Sequence, residues 1–266
     1  MSSEGAQIDV LNKRTMRASV QEYESIVHEG LNRQEKAAFD NVAELARRAR
    51  ILDIGVGAGR TVSPLRDLGQ SYLGVDYVQE MVDHCRARFP GLRFERADAR
   101  DLSMFPDGSF DLVFFSCNGI CMVDHPGRLA ILAEARRLLS PGGVFIFSTC
   151  NRNSERYRVF RYPDFQHTAN PVKWLVRAGR FAAHTLLRVR NRRRHRRHEI
   201  RTAEYAVLNT VYHHYTTMLY VIEIPQQLQQ LVQAGFSDDI KVFGLDGRPA
   251  GADCQDGTLT FVARKA

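Results

Sequence analysis

Ile51-Leu52-Asp53-Ile54-Gly55-Val56-Gly57-Ala58-Gly59-Arg60-Thr61-Val62 is the stretch whose reading decides the fold. Ile51 to Ile54 is a short apolar run, the pattern of a strand buried on both faces of a parallel sheet. Three glycines at alternate positions close it, and an apolar helical pattern begins at once. Strand, glycine turn and helix together open a nucleotide-binding βαβ unit. Gly55 and Gly57 lack a Cβ, so the turn can be tight and a ligand can lie against bare backbone. The helix after it presents free N–H groups to that ligand.

The dinucleotide fingerprint is G-x-G-x-x-G. Counted from Gly55, its third glycine position is Arg60, and a glycine falls one place earlier at Gly59. The pattern is G-x-G-x-G preceded by Asp53, and it resembles motif I of the class I S-adenosylmethionine-dependent methyltransferases. The segments that follow extend the likeness. Ser71 to Val75 reads as a second strand ending in Asp76, 21 residues after Gly55, near the spacing at which such sheets set an acid against ribose hydroxyls. An ordinary helix N-cap would use Asp76 equally well. Val78 to Phe89 reads as a helix stopped by Pro90-Gly91. Leu92 to Ala97 alternates as a third strand and leads into Asp98-Ala99.

Phe110 to Phe115 is the most apolar strand of the chain. The loop Ser116-Cys117-Asn118-Gly119 sits at its carboxyl end, where open α/β sheets bind ligands. Asp124-His125-Pro126 begins another helix, with Asp124 as its N-cap. Leu139-Ser140-Pro141-Gly142-Gly143 then turns into a strand over Val144 to Thr149. Near the end come a helix over Pro225 to Ala234, Gly235-Phe236, and strands at Ile240 to Phe243 and Thr258 to Ala263.

The resemblance covers residues 40–150 and 218–266. It implies a doubly wound α/β fold, a seven-stranded sheet in the order 3-2-1-4-5-7-6 with the last strand antiparallel. It implies one domain over 1–266: a helical cap at 1–39, a core at 40–150 and 215–266, and an inserted lid at 151–214. The cofactor it implies is S-adenosylmethionine, leaving as S-adenosylhomocysteine. Asp53, Gly55, Gly57 and Gly59 would line the methionine end. Asp76, Tyr77 and Met81 would hold ribose and flank adenine. Asp98 and Ala99 would meet the adenine edge, and Ser116, Cys117 and Asn118 would close the site. Tyr23 and Tyr215 are candidates to line the acceptor pocket.

Residues 1–49 read as two helices. Ile8, Leu11 and Thr15, then Val20, Tyr23, Ile26, Val27 and Leu31, step by threes and fours; Ala38, Val42, Leu45 and Ala46 mark the second, from about Glu35 to Arg48. With 266 residues and 44% apolar content, the chain has material for one α/β domain with additions. Five cysteines with no C-x-x-C pair fit reduced thiols in a cytoplasmic protein. No clustered His and carboxylate spacing argues for a metal.

The net charge of +7 is concentrated. Residues 173 to 201 hold eleven Lys or Arg against Glu199 alone, a local +10. Trp174, Ala178, Phe181 and Thr185 step along an amphipathic helix there. The segment can be a lid, a membrane-surface helix over 173–198, a nucleic-acid contact or a clamp for an anionic substrate.

The expected chemistry is in-line methyl transfer to an O, N or C nucleophile of a small molecule. A hydroxyl acceptor would need a general base, for which His213, His214, His167 and His125 are candidates, with Asn118 at the transfer centre. The adjacent His213 and His214 lie in a strand-like run, which would aim them at opposite faces. Alternative functions are an RNA- or membrane-lipid-directed methyltransferase and a nicotinamide-dependent oxidoreductase.

Overall fold

The computed structural model describes residues 3–19, 23, 29–165 and 167–266. The expected helical residues Val20, Ile26 and Val27 lie outside them. Strand β1 (Arg50–Ile54) pairs in parallel with β2 (Ser71–Asp76) on one edge and with β4 (Phe110–Phe115) on the other. β3 (Arg93–Arg96) flanks β2, and the long β5 (Leu139–Asn151) flanks β4, both in parallel.

These strands carry apolar residues on both faces, and the two faces feed separate cores. Leu52, Ile54, Val113 and Phe115 point into one; Ile51, Leu112, Phe114 and Ile146 point into the other. Helices cover each face. On the second, α1 (Ser3–Ala18) takes no part; instead α2 (Arg33–Asn41) and α3 (Ala43–Ala46) bury Ala38, Phe39, Val42 and Ala46. The single helix expected over Glu35 to Arg48 is thus two. The break falls at β-branched Val42, whose φ of −124° leaves the helical range. Short α4 (Val62–Arg66) follows the glycine turn and α5 (Gln79–Arg88) follows β2. On the first face, α6 (His125–Leu138) buries Ile131, Leu132, Ala135 and Leu138, and Asp124 caps it by accepting from the Gly127 N–H at 3.0 Å.

After β5 the chain makes α7 (Pro171–His195), a short ladder of β6 (Ile200–Arg201), β7 (Tyr205–Thr210) and β8 (Thr217–Ile222), then α8 (Ile224–Gln233), β9 (Lys241–Phe243) and β10 (Thr258–Arg264). β10 lies antiparallel between β5 and β9. The core sheet therefore runs β3-β2-β1-β4-β5-β10-β9, the order expected of its seven strands. Three further strands extend it. β8 joins β5 in parallel at Cys150 and Asn151 and carries β7 and β6 beyond it. Thr258 already occupies the other edge of Cys150, so β8 continues the edge that β4 vacates. The added unit reaches Ile222, past the expected insertion boundary at residue 214, because β8 pairs along its whole length with β7.

Helix α1 caps this junction. The buried Asn12 amide donates to the carbonyls of Met122 and Met218, both at 2.8 Å, and its oxygen accepts from the Met218 N–H at 2.9 Å. Asn12→Ala would leave three buried backbone groups without partners. It is expected to cost roughly 2–4 kcal/mol, read by chemical denaturation, with earlier proteolysis within residues 3–19.

Candidate active site

A cavity opens at the carboxyl ends of β1, β2 and β4. Gly55, Gly57, Asp76, Tyr77 and Met81 line it together with Tyr23, Ala99, Ser116 and Cys117. A contiguous recess adds Val56, Ala58, Arg60 and Thr61. The turn needs glycine for two reasons. Gly55 has φ of +67°, and a Cβ there would sit 2.7 Å from the Phe115 ring. The ring fills the space between Gly55 and Gly119, where a Cβ would also overlap it.

Asp76 holds the turn from below. One oxygen accepts from the Gly57 N–H at 3.0 Å and the other from the Val78 N–H at 2.8 Å. Burial pulls its carboxyl up to about 6, against the pull of those two N–H groups. Lone pairs remain on both oxygens for a ligand's hydroxyls. Asp53 does a different job from the one expected of it. Its carboxylate is buried behind the turn and accepts from Thr61 at 2.6 Å and Tyr72 at 2.9 Å. It does not line the cavity. Burial lifts its carboxyl to about 7 despite both hydroxyl donors.

Asp98 also turns aside. Its side chain grips Arg100, with Nε at 2.9 Å and a terminal guanidinium nitrogen at 2.6 Å, while its neighbours Ala97 and Ala99 form the cavity wall. Partial burial opposes ionisation there, but Arg100 overrides it and holds the carboxyl below the usual range. Asn118 is left-handed (φ 58°) and donates its amide to Thr258 Oγ1 at 3.0 Å, away from the cavity. Cys117 and Ser116 on one side and Gly119 on the other do line it.

None of the candidate histidines lines the cavity among the described residues. His213, His214 and Tyr215 are not in a strand: all three are left-handed, with φ of 47°, 57° and 64°. They form the tight turn that closes β7 onto β8, so the alternation expected for the two histidines does not arise. Asn191 donates to the His214 carbonyl at 2.8 Å and Asn209 to the Tyr215 carbonyl at 2.9 Å, which offsets the strain. His213 lies nearest the cavity, its ring 6.1 Å from that of Tyr23 and its Nδ1 3.1 Å from Ser19 Oγ. Tyr215 stacks on Phe160 and accepts from the Arg161 N–H, distant from the cavity lining. His167 is exposed and packs against Phe165. His125 stacks on Tyr205 and shares a hydrogen bond with Tyr220 Oη.

Arg60 carries a role that its sequence position hid. Its guanidinium makes paired bonds to Glu35, at 2.7 and 2.9 Å, and reaches Ser116 and Cys117. Glu35 in turn closes the α2 capping box with Asn32. A buried cation thus sits at the floor of the recess. The Asn32-x-x-Glu35 spacing was the only signal in the sequence for this arrangement.

Residues 51–143 match the model of a methyltransferase domain family. That match spans about a third of the chain, from β1 to the turn within β5, and over it the chain is similar to methyltransferase domains. It is 30% identical over 121 residues to a probable S-adenosylmethionine-dependent methyltransferase of Mycolicibacterium smegmatis, covering 45% of each chain. It is 30% identical over 113 residues to the ubiquinone biosynthesis O-methyltransferase of Methylococcus capsulatus, covering 41% of this chain and 46% of that one. The chain spans about half the length of the curated relatives it matches. In fold it is similar to the 1,6-didemethyltoxoflavin-N1-methyltransferase of Burkholderia thailandensis, with a TM-score of 0.61, 15% identity, and coverage of 100% of this chain and 92% of that one. That structure holds its substrate and S-adenosylhomocysteine. No helix among the described residues is long and apolar enough to cross a membrane.

Two outcomes follow for the turn. Gly119→Ala should force the Phe115 ring into the cavity, lowering stability by about 1–3 kcal/mol and weakening ligand binding, both measurable by thermal denaturation with and without ligand. Asp53 binds its proton more tightly in the fold than an unfolded Asp, whose value is about 3.9. Its contribution to stability is therefore full below that value and is lost as pH rises through about 7. Urea unfolding across this window should show wild type losing stability relative to Asp53→Asn.

Proposed function

We propose that this chain transfers the methyl group of S-adenosylmethionine to an O, N or C nucleophile of a small molecule. The observation that carries the reading is the convergence of Gly55, Gly57, Asp76, Tyr77 and Ser116 on one cavity at the carboxyl ends of β1, β2 and β4. The residues fit the cofactor. Asp76 can accept from ribose hydroxyls, and Tyr77, Val78, Met81, Ala97 and Ala99 offer an apolar slot for a purine. The Tyr77 hydroxyl is buried there without a hydrogen-bond partner among the described residues, a group that a polar ligand edge would satisfy. Arg60, held by Glu35, suits an amino-acid carboxylate in the recess.

The cofactor, when bound, supplies a sulfonium methyl whose leaving group needs no protonation. What the protein must add is alignment and exclusion of water. Met16 on α1 and Tyr23 close the cavity on its open side. Cys117 and Met122 line the rim where an acceptor would approach. His213, next to Tyr23, is the best placed of the histidines to receive a proton from a hydroxyl acceptor, through a shift of that side chain or a water. The ubiquinone O-methyltransferase likeness favours oxygen as the acceptor atom.

Calorimetric titration with S-adenosylhomocysteine tests the reading. Binding should appear with the sulfur ligand and not with NAD or NADP; the reverse pattern would sink the proposal. Because the ribose needs the ionised carboxylate, affinity should fall as pH drops through about 6. Asp76→Asn should lose about tenfold or more in affinity and flatten that pH dependence.

A further inference from the structure

Helix α7 is 25 residues long and buries none of them. It is moored by one face near its carboxyl half. Arg188 donates to the Arg161 carbonyl at 2.9 Å, Asn191 to the His214 carbonyl at 2.8 Å and Arg192 to the Asn209 carbonyl at 2.7 Å. Among the described residues nothing covers the opposite face, which is inverted relative to an ordinary surface helix, whose outward stripe is polar. Val172, Leu175, Val176 and Leu186 recur there at helical spacing, with exposures of 71%, 68%, 51% and 70%; Gly179 and Ala183 lie between them. The same stripe then changes character and continues as Arg190, Arg193 and Arg194, with Arg197 in the turn just beyond His195. The helix itself contains no Asp or Glu.

A cleft of about 910 Å³ adjoins this basic end, between α1 and the last turns of α7. Arg14, Arg188, Arg194 and Arg197 line it, together with four histidines, and no carboxylate does so among the described residues. Arg194 and Arg197 therefore belong both to the basic end of the stripe and to the cleft. On the α1 side the cleft is lined by Gln7, Leu11, Arg14 and Ala18, whereas Met16 lines the cavity at the glycine turn. Thr15 and Ser19 line the cleft as well, and so does His213, whose ring is 6.1 Å from that of Tyr23 in the cavity. Cleft and cavity are therefore neighbours on two sides of α1, with His213 at their junction.

We propose that α7 docks this protein on an anionic phospholipid surface. The apolar stripe enters the acyl boundary, the four arginines lie at the phosphates, and the cleft receives a headgroup phosphate. An interfacial helix needs an apolar stripe with cationic residues beside it, and long Arg side chains reach the phosphates while their stems stay apolar. A nucleic acid would use the arginines but leave about four turns of exposed apolar side chains unexplained. A second copy of this helix would meet a like-charged end or set arginines against an apolar partner face, with no acid on either helix. The docking rests on the α7 stripe and its arginines and not on methyl transfer.

Trp174, the chain's sole tryptophan, shares the mooring face with Arg192 and packs beside Phe165, so the outward stripe is reported by a variant with Trp174→Phe and Leu186→Trp. The protein would be mixed with vesicles of phosphatidylcholine, with or without phosphatidylglycerol, and assayed by flotation, with emission read from that variant. Binding of both proteins to the anionic vesicles is expected, with a blue shift and quenching by brominated acyl chains in the variant. Leu175→Glu with Leu186→Glu should lower partitioning at least about tenfold. Arg193→Glu with Arg194→Glu should do the same, and neither pair should change S-adenosylhomocysteine affinity. These side chains are exposed, so the variants should keep the wild-type circular dichroism. Equal binding to uncharged vesicles would overturn the proposal. So would full binding by the Leu175 and Leu186 double variant, a concentration-dependent dimer that buries the outward stripe, or saturation of the cleft by inorganic phosphate without vesicle binding.

Discussion

The Asp76 carboxylate is the contact on which the site depends. The glycine turn leaves the sheet with positive φ, held at its start by the Gly55 and Val56 N–H groups on the Val75 carbonyl. Asp76 ends the neighbouring strand and takes the Gly57 N–H on one oxygen while the other starts α5 at Val78. One side chain therefore fixes the separation of the two loops between which a ligand must fit. The cost is a carboxylate in a buried place, visible in its raised titration. Asp53 repeats the arrangement one layer deeper, tying Thr61 and Tyr72 behind the same turn. Two acids with opposing demands, burial and ionisation, thus sit under three glycines.

A third acid links this centre to the rest of the chain. Glu35 caps α2, clasps Arg60 and accepts from Ser116. It joins the helical segment, the glycine turn and the loop after β4 in one buried network. Breaking such a pair on one side leaves an uncompensated charge, and this costs far more than the intact pair contributes. The network is best understood as a device of position: it holds a cation at the cavity floor rather than adding to the stability of the core.

What the sequence made legible was local. The β1 run, the glycine turn after it and the strand that Asp76 ends were legible because strand period and φ requirement are short-range. The Asp124 cap was an equally short signal, whereas the order of the core strands came with the resemblance alone. Long-range pairing was hidden. Asp98 pairs with Arg100 only two residues on, but the approach of Lys13 from α1 had no local sign. Glu35 and Arg60 meet across 25 residues. Three consecutive left-handed residues without a glycine gave no compositional sign, so His213 to Tyr215 read as strand. The period of α7 was plain, but which of its faces would be left in water depended on β7 and β8, whose pairing no local pattern specifies.

The position of β10 has a consequence for how the chain is made. β5 is the longest strand, and one of its edges is filled only by β10, about a hundred residues later. During synthesis that edge, with Phe145, Phe147 and Thr149 along it, stays open after β1 to β5 have left the ribosome. An open strand edge in an apolar sheet is a template for pairing with other chains. The insertion lengthens the wait, because α7 and the β6–β8 ladder must emerge first. Translation speed across residues 152–257 and access to a chaperone should therefore govern the yield of folded protein more than the intrinsic stability of the finished sheet.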